Sequence, residues 1–170
     1  MSIANFAAGV VHPLNGVDHI LAMVAIGVWS VVAGGRALWV WPLAFVTTTL
    51  AGFAVAASGL QVPLVEPAIA TSIVVLGLMI VFAVRAPVWL GAVIAALFAF
   101  FHGHAHGTEA VSVGVASLAY AGGFALATAT LHTAGIGAGI LMARSAGQTL
   151  LRATGGLVAV GGLALVANLA

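Results

Sequence analysis

Leu38–Ala57, LWVWPLAFVTTTLAGFAVAA, runs for 20 residues without a charged side chain. As an α-helix at 1.5 Å per residue it is about 30 Å long, the thickness of a bilayer's hydrocarbon core. The rest of the chain has the same character. Of its 170 residues 64% are hydrophobic and 4% charged, with a mean hydropathy of +1.28. A soluble domain carries roughly 25% charged residues. Such a chain has room for roughly six membrane spans, and no stretch outside them is long enough to build a soluble core.

Breaks in the apolar pattern define one integral membrane domain over 1–170, an all-α bundle with spans at roughly 13–33, 38–57, 66–84, 88–105, 113–143 and 149–169. The breaks are Gly34-Gly35-Arg36, the turn Ser58–Pro63, the short loop Arg85-Ala86-Pro87, and the two segments that follow the fourth and fifth spans. Pro63, Pro67 and Pro87 stand at helix starts, where proline is tolerated. The fifth span, about 30 residues or roughly 45 Å, exceeds one crossing but cannot hold two. It must tilt, project, or break at Gly135–Gly139. Those glycines, and the pairs at 122–123, 155–156 and 161–162, are expected to allow close helix packing.

Arg36, Arg85 and Arg144 follow odd-numbered spans, with Arg152 just beyond Arg144, so all four fall on one side. Because basic residues stay on the cytoplasmic side, both termini are expected to be extracytoplasmic. Trp29, Trp39, Trp41 and Trp89 fall near the same boundary, as an aromatic belt would place them. Met1–Asn5 lacks the basic start and cleavage site of a secretory leader, which suggests a mature form restarted with methionine. With no lysine and a net charge of +1, the chain has no footprint for nucleic acid. It has no cysteine, which excludes disulfides and thiolate chemistry.

The chemistry is left to six histidines and three carboxylates. The first cluster is His12-Pro13-Leu14-Asn15-Gly16-Val17-Asp18-His19, followed by Met23 one turn below His19. In a continuous helix His12 and His19 are about 10 Å apart in rise. A fold-back at Pro13–Gly16, rich in turn formers, would bring them together. The second cluster is Phe101-His102-Gly103-His104-Ala105-His106-Gly107-Thr108-Glu109. His102 and His106, at i and i+4, share a helical face; His104 points elsewhere unless the glycines unwind the helix. His132 lies deep in the fifth span. Glu66 reads as a first-turn carboxylate at a helix N-terminus. A charge at the centre of a membrane helix costs at least about 2.5 kcal/mol, so polar groups there mark ion paths or paired sites. Neutral imidazoles suit Ni²⁺, Co²⁺, Zn²⁺ and Cu²⁺, while Mg²⁺ and Ca²⁺ prefer oxygen.

The pattern His12-Pro13-x-x-Gly16-x-Asp18-His19-x-x-Ala22-Met23, with Phe101-His102-Gly103-His104-Ala105-His106-Gly107-x-Glu109, resembles the HupE/UreJ family of membrane proteins. Leu131-His132-x-x-Gly135 looks like that family's fifth span, and the resemblance covers essentially the whole chain. It implies a nickel permease of the bacterial inner membrane, passing cobalt in some members and associated with hydrogenase and urease gene clusters. It also implies that His12, Asp18, His19, His102, His106 and Glu109 belong to the metal path. Family precursors usually carry a cleaved leader and often a short histidine-containing segment after it; neither is found here.

The expected function is therefore secondary import of Ni²⁺, or of Co²⁺ or Zn²⁺, without a covalent cofactor and without catalysis. His104 and His132 serve as further ligands, and Asn15 and Met23 as pathway candidates. The expected partners are the lipid bilayer, the ion and a cytoplasmic nickel chaperone. No G-x-x-x-x-G-K-[ST] motif is present to couple transport to nucleotide. Imidazoles ligate only when neutral, so uptake should weaken as pH falls through about 6.5. Three other readings fit the same residues: a nickel-binding accessory or sensor protein, a zinc-dependent intramembrane hydrolase with Glu109 as base, and a bis-histidine haem carrier.

Overall fold

A computed structural model describes residues 2–145 and 147–169; Met1, the first residue of the segment read above as a restarted mature terminus, lies outside them. The described residues form seven α-helices and no strand: α1 (Ile3–Asn15), α2 (Val17–Ala33), α3 (Ala37–Ala57), α4 (Val65–Val81), α5 (Val88–Ser112), α6 (Leu118–Ser145) and α7 (Gly147–Ala167). Helices α3, α5, α6 and α7 are long and apolar enough to cross a membrane, and α4 is a shorter apolar helix. Helices α1 and α2 qualify together, but an 83° bend separates them. The chain is a multi-pass membrane protein.

Several boundaries differ from the sequence reading. The first span is preceded by a helix, α1, that the apolar pattern did not reveal. Pro13 lies inside α1 and is buried, so the fold-back is confined to Gly16, which is extended (φ −95°, ψ 112°). A Cβ at Gly16 would come within 2.8 Å of Asp18 Oδ1 and 2.9 Å of His19 Nδ1. The small residue makes room for that pair.

Helix α4 stops at Val81 rather than residue 84. Ala83 turns left-handed (φ 50°), and the Val84 N–H reaches back to the Met79 carbonyl, a helix-ending pattern. Helix α5 continues to Ser112, well past residue 105, before Gly114 turns it (φ 72°). Helix α6 begins at Leu118, not at residue 113. The Ser117 hydroxyl accepts from the Tyr120 N–H, and a serine N-cap of this kind sets a helix start. Helix α6 then runs unbroken through Gly135–Gly139.

Glycine contacts hold the bundle together. A Cβ on Gly52 would overlap the Phe100 carbonyl, one on Gly103 the Thr49 backbone, and one on Gly107 would sit 2.7 Å from Ala56 Cβ. Helices α3 and α5 therefore meet backbone to backbone, and the glycines of α5 serve this contact rather than unwinding the helix. Gly27 and Gly135 join α2 to α6 in the same way, and Gly77, Gly155 and Gly162 join α4 to α7. The glycine pairs divide: Gly123 lies on Phe6 and Gly155 on Gly77, while Gly156 and Gly137 face open space.

Only two tryptophans behave as surface anchors, Trp39 and Trp89, at 55% and 68% exposure. Trp29 and Trp41 are wholly buried, their rings 4.1 Å apart. Each indole N–H donates to a carbonyl flanking the α4–α5 loop, Trp29 to Val84 and Trp41 to Val88, both at 2.9 Å. A buried indole needs such an acceptor, so these two rings belong to the interior of the arginine-bearing end and not to a belt.

Gly52→Ala is expected to destabilise the fold by about 1–3 kcal/mol through overpacking, whereas Gly137→Ala, facing open space, should be neutral. Thermal unfolding of the two variants in detergent checks this.

Candidate functional site

An open cavity of ≈ 800 Å³ enters the bundle where α1 meets α2 and where α5 ends, at the end opposite the loop that carries Arg85. Its walls include His12, Asn15, Asp18, His19, Gln61, Glu66, His104, His106 and Glu109. All three carboxylates of the chain thus face one opening, which favours cations there. Glu66 is a wall residue as well as a first-turn carboxylate.

From this cavity a row of rings leads inward. The His12 Nε2–H donates to Glu109 Oε2 at 3.0 Å. Ring centroids are then 4.7 Å apart for His12–His106, 3.9 Å for His106–His19 and 5.0 Å for His19–His102. Phe45 follows, 5.7 Å from His102 and 5.0 Å from His132. Two far-apart sequence segments meet because the bend at Gly16 swings His12 over the start of α2 and the α3–α5 contact holds His102 and His106 inward. The arrangement is a ladder rather than one cage. Among the described residues, only His12, His106 and Glu109 offer three ligand atoms within 4.8 Å of one another.

The His19 Nδ1–H donates to Asp18 Oδ1 at 2.8 Å, which leaves Nε2 as the bare nitrogen; a carboxylate behind an imidazole orients metal ligands in this way. His102 Nε2 lies 3.1 Å from Ser72 Oγ. Buried and without a hydrogen-bond partner are His19 Nε2, His102 Nδ1, His132 Nδ1 and Nε2, both nitrogens of His106, and Thr128 Oγ1. Leaving a buried polar atom unpaired costs about 1–3 kcal/mol, so a row of such atoms marks a candidate ligand site. Imidazole nitrogen with one carboxylate suits a borderline divalent transition ion.

The other residues singled out in the sequence have different surroundings. His104 lies on another face of α5, as expected for an intact helix. Its Nε2–H donates to the Leu60 carbonyl at 2.9 Å, tying α5 to the α3–α4 connection. Asn15 lines the cavity. Met23 is fully buried in the apolar core. Sequence reasoning missed Ser72, Thr128 and Phe45. Hydroxyls in apolar helices usually bond their own backbone, and a phenylalanine in a span carries no signal.

A family profile described as "HupE / UreJ protein" matches residues 1–165. The chain is 43% identical to "Protein HupE" of Rhizobium leguminosarum bv. viciae over 159 residues, covering 94% of this chain and 83% of that protein. No solved structure gives a match.

Asp18→Asn should weaken Co²⁺ or Ni²⁺ binding by about 10–100-fold, the usual effect of removing a carboxylate behind a ligating imidazole. His104→Ala should leave affinity nearly unchanged and instead lower thermal stability. Titration of the purified protein, followed by Co²⁺ absorption, separates the two.

Proposed function

The chain belongs to the HupE/UreJ family, whose members are associated with nickel and cobalt transport for hydrogenase and urease, and from that premise we propose that it imports Ni²⁺ across the bacterial inner membrane as a secondary permease. The observation that carries the proposal is the ladder of imidazoles leading from an open, carboxylate-lined cavity to unpartnered nitrogens in the core. Co²⁺ and Zn²⁺ fit the same donors.

In this proposal α2 to α7 make six crossings of a single membrane domain, with the arginine-bearing loops cytoplasmic and both termini extracytoplasmic. Helix α1 lies in the outer interface, consistent with its 83° angle to α2 and the exposed Ile3, Phe6, Val11 and Leu14. The cavity then faces the periplasm.

Hydrated Ni²⁺ is drawn in by Asp18, Glu66 and Glu109. It exchanges waters first for His12, His106 and Glu109, whose donor atoms are close enough to share one ion, and then for His19 and His102. Short steps keep each ligand exchange partial, so the ion is never bare in a medium where an unsolvated charge is prohibitive. Phe45 lies between His102 and His132, and the tilted pair of Trp29 and Trp41 closes the cytoplasmic end. Release therefore requires those rings to move. His132 is the last imidazole before a cytoplasmic chaperone takes the ion toward hydrogenase or urease maturation. An inside-negative potential supplies about 4.6 kcal/mol per 100 mV for a dication, twice the ~2.3 per unit charge, so no nucleotide is needed.

Purified protein in liposomes with an inside-negative potential should load Ni²⁺ into the lumen, read by an enclosed metal-sensitive dye. His19→Ala and Asp18→Ala should reduce loading to the level of empty vesicles while inserting normally. Tight Ni²⁺ binding by the wild type without loading would mean an accessory or sensory protein instead.

A further inference from the structure

Each imidazole on the ladder has to keep one nitrogen bare for a cation and place its proton on the other. For His19 the Asp18 carboxylate makes that choice, since it can only accept. His102, fully buried on α5, has no carboxylate against its ring among the described residues. The one polar partner it has among them is Ser72 on α4, with Oγ 3.1 Å from Nε2.

A serine hydroxyl has one proton and two lone pairs. The Ser72 hydroxyl lies 2.6 Å from the Ile69 carbonyl, three residues back on its own helix. A carbonyl can only accept, so at that distance the single proton is committed to Ile69. The oxygen facing His102 must then accept, and the proton between Ser72 and His102 belongs to Nε2. His102 Nδ1 is left as a lone pair, and it is buried without a partner. The opposite tautomer breaks the Ser72–Ile69 bond and buries an Nδ1–H with no acceptor. Orphaned buried N–H groups are rarer in proteins than under-satisfied acceptors. It would also aim a positive hydrogen where a cation has to bind.

We propose that Ser72 is a positioning residue that holds His102 in its Nε2–H form and thereby makes Nδ1 the atom that receives the ion from His19, whose ring centroid lies 5.0 Å from that of His102. The hydroxyl does for His102 what the carboxylate does for His19, without adding a second negative charge deep in the bundle. A metal ligand commonly has its other ring N–H held by such a partner. Ser72 thus gives α4, whose Glu66 lines the cavity mouth, a second place on the path deeper in the bundle. The tautomer itself is independent of what is transported; its consequence for uptake rests on the import reading above.

The test begins on the metal-free protein, labelled with ¹⁵N-histidine and reconstituted in lipid, with His102 assigned as the signal lost in His102→Gln. The ring ¹⁵N shifts should report a protonated Nε2 and a bare Nδ1 in the wild type, a tautomer mixture in Ser72→Ala, and recovery in Ser72→Thr. Ni²⁺ affinity should fall about tenfold or more in Ser72→Ala, the lower range for a lost orienting partner, and return with Thr. A wild-type His102 protonated on Nδ1 overturns the proposal without any variant having to fold. So does a Ser72→Ala protein whose His102 tautomer is unchanged. If the tautomer is as stated but wild-type liposomes do not load Ni²⁺, the import reading fails and the role of Ser72 in setting the ring survives.

Discussion

Imidazole nitrogens buried in an apolar bundle without hydrogen-bond partners are the constraint around which this protein is organised. Each such atom carries a desolvation cost that packing must offset, and among the described residues six of them lie on His19, His102, His106 and His132. A bundle that only needed to fold would pair them or replace them with carbon. What keeps them in place is the backbone contact of α3 with α5 and of α2 with α6, made through Gly52, Gly103, Gly27 and Gly135. Close backbone approach supplies dispersion contacts where no hydrophobic effect operates between helix and lipid. The imidazole face and the packing face of α5 are thus interleaved: His102, Gly103, His106 and Gly107 alternate between the ladder and α3.

The two ends of the bundle differ in kind. One is open, lined by the chain's three carboxylates and four of its histidines. The other is closed by Trp29 and Trp41, whose indoles are tied to carbonyls on either side of the Arg85-Ala86-Pro87 loop. Phe45 is in contact with both His102 and His132, so the apolar seal begins within the row of imidazoles itself. An enclosed, low-dielectric stretch between two polar stations raises the barrier to a bare ion. Under the import proposed above, the movement of a few aromatic rings on α2 and α3 would control passage.

Much of this was legible along the chain because its signals are local. Apolar runs of membrane length appear as helices α3, α5, α6 and α7, and a shorter one as α4. The i, i+4 spacing of His102 and His106 puts both on one face of an unbroken α5, with His104 turned to the Leu60 carbonyl. The errors came where a residue has two physically adequate uses. Trp29 and Trp41 have the composition of an interfacial belt, but an indole with a carbonyl in reach is equally stable inside. Pro13 suggested a turn, yet it is accommodated within α1, and the bend falls at Gly16. Val113–Ser117 is apolar enough to extend a span, but the Ser117 cap and the Gly114 turn set the boundary by hydrogen bonding that hydropathy does not register.

Composition and spacing alone determined that this chain is a helical membrane protein without thiol chemistry, and that five of its six imidazoles are gathered in two segments. Those properties follow from the transfer cost of side chains and the period of a helix, both of which are read residue by residue. That the segments meet and in which order the rings follow one another were decided only by the tertiary structure. Those outcomes depend on pairs such as His12 with Glu109, His102 with Ser72 and Phe45 with His132, whose members lie on different helices and are brought together by packing.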